Sequence, residues 1–119
     1  MNYFNLIFSN KSILRIFQLE IFKKFKIEGD IIEFGASEKI DKNFCSLHLS
    51  NSRVNFSNIN PSNKEFINID LQKKISLNTK YDCIVIFNVL EHLLDPHLAL
   101  RNLSTISTKN GKIIGSTPF

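Results

Sequence analysis

Residues 81 to 97, YDCIVIFNVLEHLLDPH, carry an apolar, β-branched run into Asn88 and follow it at once with Glu91 and His92. An imidazole titrates near neutrality and can take a proton from a hydroxyl nucleophile, and a neighbouring carboxylate can orient a substrate. The plainer alternatives are a loop histidine bonded to a backbone carbonyl and a glutamate bonded to loop amides. Other acids, amides and small residues follow other apolar runs: Glu33-Phe34-Gly35-Ala36-Ser37, Asn58, and Asp70-Leu71. A glycine after a strand lets the backbone come close to a ligand. Carboxylates at neighbouring strand ends can accept hydrogen bonds from ribose hydroxyls or an adenine amino group. Other chemistries lack their residues. His92 and His97 are five apart and do not share a helical face, so no metal site is expected. Cys45 and Cys83 are isolated, and there is no GxSxG elbow, Walker loop or Cys-His pairing.

The elements that must hold these residues alternate between strand and crossover. Residues 12 to 27, SILRIFQLEIFKKFKI, place Ile13, Phe17, Ile21 and Phe25 on one stripe, with Leu14 and Phe22 alongside. This predicts a packing helix with Gly29 as its left-handed cap. DIIEF reads as the first strand, residues 37 to 50 as a poor helix, RVNFSNIN as the second strand and EFINIDL as the third. YDCIVIFNVL is the strongest strand. Asp95-Pro96 is a helix start, with Ala99, Leu100, Leu103 and Ile106 on the buried face and Asn110-Gly111 at the end; KIIGSTP is a fifth strand. Asp82, at the opposite end of its strand, is expected to be structural. The alternation predicts an α/β, mainly parallel sheet with flanking helices, whose ligands bind at the carboxyl ends of the strands.

The 119 residues suit one domain, divided as a packing helix over 1–29 and a sheet domain over 30–119. The net charge of +4 is scattered, and no stripe interleaves cations with aromatics, so nucleic-acid binding is not expected. No apolar run reaches the roughly 20 residues of a membrane span. With no leader pattern and a buried Cys83 expected to stay reduced, the expected compartment is the cytoplasm.

The segments IIEFGAS, FINIDL and YDCIVIFNVLEHLLDPHLALRNLSTISTKNGKIIGSTP together resemble class I S-adenosylmethionine-dependent methyltransferases of the type with an LEH signature after the fourth strand. The resemblance covers residues 28 to 119 and is most specific in its last third. It implies a Rossmann-like sheet of order 3-2-1-4-5, with S-adenosylmethionine as cofactor and methyl transfer to a small-molecule or sugar-type acceptor. It also implies contacts. Glu33, Gly35, Ala36 and Ser37 lie along the methionine part, Asn58 at the ribose, and Asp70 and Leu71 around the adenine. Asn88 and Val89 face the sulfonium, with Glu91 and His92 as candidate catalytic residues near the acceptor.

The sequence departs from the family pattern in three places. Ser37 and Lys39 stand where two further glycines are usual, and Asn58 replaces the ribose-binding acid. The family's last two strands are not present, leaving strand five as an edge. A homodimer or a complementary chain at that edge is the expected consequence. The alternative function is a split or catalytically inactive methyltransferase-fold subunit acting through a partner. In relatives where a Glu-x-x-Glu-His run holds a metal, the first glutamate corresponds to Asn88 here.

Overall fold

The computed structural model describes residues 13–48 and 53–117. Helix α1 (Ile13–Phe22) leads into strand β1 (Asp30–Phe34), then a 3-10 turn (Ile40–Lys42) and the short helix α2 (Phe44–His48). Strands β2 (Arg53–Asn58), β3 (Ile67–Asn68) and β4 (Tyr81–Phe87) follow, with a second 3-10 turn at Leu90–His92. Helix α3 (Pro96–Ser104) and strand β5 (Ser107–Ser116) complete the order. Among the described residues all four strand pairings are parallel, as the alternation of elements predicts, and the sheet runs β3-β2-β1-β4-β5, the order the resemblance implies. Strand order reverses between β1 and β4, so their carboxyl ends flank the point where an open parallel sheet leaves a crevice.

Two cores sandwich the sheet because side chains of a strand alternate between its faces. Ile32, Phe34, Ile84 and Ile86 pack with Ala99, Leu103 and Ile106 on the α3 side. Ile31, Cys83, Val85 and Phe87 pack with Leu19, Phe22, Phe44 and Cys45 on the α1 and α2 side. There Phe22, Phe44 and Phe87 form a ring cluster, with Phe44 and Phe87 centroids 4.3 Å apart and Phe22 edge-on to both. Such geometry adds about 0.5–1.5 kcal/mol per pair beyond area burial.

Several local expectations need correction. Helix α1 stops at Phe22, five residues before Ile27, because Lys24 and Phe25 bond back to Ile21 and Phe22 in tight i→i−3 turns. Gly29 is left-handed (φ 87°), but it turns the chain into β1 rather than capping the helix. Its missing Cβ leaves room for the Asp82 carboxylate, which accepts the Asp30 N–H at 2.8 Å. Asp82 is structural, as read. The buried face of α1 is Ile16, Gln18, Leu19 and Phe22, whereas Ile13, Leu14, Phe17, Ile21 and Phe25 are exposed.

Strand β3 is only two residues long. Asp95 does cap α3, accepting the Leu98 N–H at 3.0 Å. Leu100, however, is exposed on that helix. Asn110-Gly111 lies within β5, not at the helix end. Tyr81 pairs with Ser107 but Cys83 with Lys112, so residues 108–111 bulge out between them.

Candidate cofactor site

Two clefts open at the carboxyl ends of β1 and β4 and meet at Phe34 and Gly35. The first, of about 350 Å³, is lined by Arg15, Glu33, Ser37, Lys42, Asn43, Phe44 and Asn88, among others. The second is narrower and more apolar, walled by Asn58, Ile59, Ile69, Leu71, Val89 and Leu93. Gly35 is the hinge between them. It has φ 66°, a region L residues avoid, and a Cβ there would stand 2.4 Å from Val89 Cγ2. Both the turn and the close packing of Val89 over β1 require glycine.

Glu33 is 3% exposed on the α1–α2 face of β1. Its two carboxylate oxygens accept the N–H groups of Phe44 (3.1 Å) and Cys45 (2.8 Å), the first residues of α2. Burial pushes its pKa above the ordinary carboxylate value, opposed by those amides, the Cys45 thiol and the nearby Arg15 charge. Burial and the same carboxylate push the Cys45 thiol far up, and burial raises Cys83 to about 11, so both are unreactive thiols. Ser37 closes the turn after β1. Its N–H donates to Asn43 Oδ1 at 2.6 Å, and its carbonyl accepts from Asn43 Nδ2 at 3.1 Å. The buried Asn43 thus does for this turn what further glycines would leave to the backbone.

Ala36 is buried, and its carbonyl accepts from Asn58 Nδ2 at 3.0 Å, while Asn58 Oδ1 accepts the Ile59 N–H at 2.9 Å. An amide suits this position because one end donates and the other accepts; a carboxylate would turn an oxygen towards the Ala36 carbonyl. Asp70 lies in a neighbouring hollow with Ile59, Ile69 and Lys73. One of its oxygens accepts the Gln72 N–H at 2.9 Å and the other stands 3.9 Å from Lys73 Nζ. Leu71 is buried in the second cleft's wall.

Asn88 is also left-handed (φ 59°), a conformation asparagine tolerates better than most residues. Its side chain exchanges two hydrogen bonds with Gln18 of α1, at 2.7 and 3.1 Å, and Gln18 also donates to Ser116 Oγ at 2.8 Å. Glu91 and His92 sit in the 3-10 turn beyond Val89, with His92 Nε2 3.7 Å from Glu91 Oε1 and its side chain 77% exposed. Neither lines the two clefts. Among the described residues, no group of three His, Cys, Asp or Glu side chains could hold a metal ion, and no helix is long and apolar enough to cross a membrane.

The structure therefore gathers Glu33, Gly35, Ser37 and Asn88 in one cleft, and Gly35, Asn58, Leu71 and Val89 in the adjoining one. Asp70 lies beside them, and Glu91 and His92 stand outside. Sequence patterning missed Arg15, Gln18, Asn43 and Phe44. The available signal was a glutamine within the apolar helix RIFQLEIF, since a polar residue buried there requires a partner.

The profile of a family described as a methyltransferase domain matches residues 9–119. Among solved structures, that of the plantazolicin methyltransferase BpumL in complex with SAH matches with a TM-score of 0.59 and 19% identity, over 86% of this chain and 47% of that one. The chain spans about half the length of that protein, and the likeness is one of fold. A comparison with curated proteins finds no significant match.

Proposed function

Since the chain belongs to the methyltransferase domain family, we propose that it binds S-adenosylmethionine across the two clefts meeting at Gly35 and takes part in methyl transfer to a small-molecule or sugar-type acceptor. The observation that carries this reading is the left-handed Gly35 between an apolar cleft and a charged one, at the point where strand order reverses. The residues present fit the cofactor. The wall of Ile59, Ile69, Leu71 and Val89 suits a flat base, and Asn58 Oδ1 keeps a second lone pair for a ribose hydroxyl. When bound, the cofactor supplies an electrophilic methyl group on a sulfonium.

The protein's part is then to position and enclose, because in-line attack on such a methyl needs chiefly an oriented nucleophile. Glu33 ties β1 to α2 and so shapes the floor of the charged cleft. Asn88, fixed by Gln18, shapes its end. Glu91 and His92 belong on this reading to the rim facing the methyl acceptor, with His92 taking its proton and Glu91 orienting the acceptor molecule.

Calorimetric titration of the folded chain with S-adenosylhomocysteine tests the proposal. Binding tighter than about 100 μM, or about −5.5 kcal/mol, is expected. Asp70→Asn, which keeps an acceptor for the Gln72 N–H, should weaken it severalfold. A folded chain that binds nothing overturns the reading. One observation favours a second role, as a subunit paired through β5. Among the described residues that strand pairs with no strand but β4, and Ile113 on it is 42% exposed. A dimer in sedimentation without ligand binding would favour that role.

A further inference from the structure

Strand β3 is only two residues long, and its ladder gives out at Ile69, whose N–H reaches the Asn58 carbonyl at 3.3 Å. The loop that follows, residues 70–73, carries Asp70 and Leu71 beyond the end of that ladder. Its backbone groups must find partners elsewhere, and helix α3 supplies them. Asn102 Nδ2 donates to the Leu71 carbonyl at 2.7 Å and to the Lys73 carbonyl at 2.9 Å. The Gln72 side chain reaches the other way, to the residue that caps α3. Its Nε2 donates to the Asp95 carbonyl at 2.8 Å, and its Oε1 accepts the Asp95 N–H at 2.7 Å. These bonds fasten the loop to both the start and the body of one helix.

The fastened loop presents an acceptor to a ligand. Asp70 Oδ1 takes the Gln72 N–H at 2.9 Å, while Oδ2 stands 3.9 Å from Lys73 Nζ, beyond hydrogen-bond reach. Ile59 and Ile69 wall both the hollow that holds Asp70 and the apolar cleft beside it, so the carboxylate borders the surface that suits a flat base.

We propose that Asn102 and Gln72 are positioning residues for the cofactor's base: from α3 and the loop itself they hold residues 70–73 so that Asp70 accepts the exocyclic amino group. The inference rests on the cofactor reading above. A loop already held in its bound shape binds more tightly than one the ligand must order. An amide suits position 102 because its NH2 carries two hydrogens for two carbonyls. A carboxylate there would turn oxygen towards both carbonyls, and a leucine would leave both without this donor.

The test compares S-adenosylhomocysteine with the analogue in which hydrogen replaces the 6-amino group of its base, by calorimetric titration of the full chain. The wild type should prefer the amino-bearing ligand by about tenfold, the worth of a hydrogen bond to a charged acceptor. Asp70→Ala should abolish that preference. Asn102→Leu should remove most of it by weakening S-adenosylhomocysteine alone, and Gln72→Ala should act in the same direction. If Asn102→Leu does not fold, Gln72→Ala decides. A merely structural role would weaken both ligands alike. That result, or an undiminished preference in any folded variant, overturns the assignment. Equal binding of both ligands by the wild type overturns it and leaves the cofactor reading standing. Binding of neither by a folded chain brings down both.

Discussion

At Gly35, one hydrogen where other residues have a Cβ decides whether β1 and the turn after β4 can touch. The left-handed φ of 66° and the 2.4 Å approach to Val89 act together, so Gly35→Ala meets strain and a clash at once. Strain of this kind costs about 1–3 kcal/mol. Denaturant titration should show a loss of that size; an unchanged midpoint would mean that Val89 simply moves aside. Asn58 illustrates the opposite lesson. Against the family pattern it reads as a lost acid, but its amide spans the Ala36 carbonyl and the Ile59 N–H, two bonds of opposite polarity. Which residue types stand at the strand ends was legible from spacing alone. What each side chain bonds to was not, because partners such as Asn43 and Ala36 are chosen by how the turns fold.

At the scale of elements, α1 is the part least legible in advance. ILRIFQLEIF is apolar nearly all round, so its 3.6-residue period supports two faces equally. The face carrying Ile16, Leu19 and Phe22 is the one buried, and it also buries Gln18 against the ends of β4 and β5. Gln18→Ala and Asn88→Ala should therefore be strongly non-additive, since each alone strands a partner's polar atoms. A double-mutant cycle by chemical denaturation should return a coupling of about 0.5–3 kcal/mol. Additive effects would mean that the paired amides do not anchor the helix. The start of helix α3 was legible, though not its end, because that start is chemical rather than periodic: Asp95 caps the helix and Pro96 opens it.

For the whole molecule, the consequence of a sheet buried on both faces is that Glu33 is enclosed with it. Burial raises its folded pKa above the ordinary value of 4.5, so between those two values the folded chain holds a proton that the unfolded chain has released. Its contribution to stability is full below pH about 4.5 and is lost as pH rises through the folded value. Unfolding free energy measured across the acid range should include this fall, and Glu33→Gln should remove it. An unaltered profile in the variant would show that the α2 amides fully offset burial. The sequence by itself determined that strands and crossovers alternate in a mainly parallel sheet, and its family resemblance implied the order β3-β2-β1-β4-β5. Alternating apolar runs, crossover lengths and strand-end chemistry are local signals repeated along the chain. The tertiary structure alone decided which face of α1 is buried, which amides satisfy Glu33 and that Arg15 enters the cleft. Those outcomes depend on contacts between residues far apart in sequence, whose energies no local pattern contains.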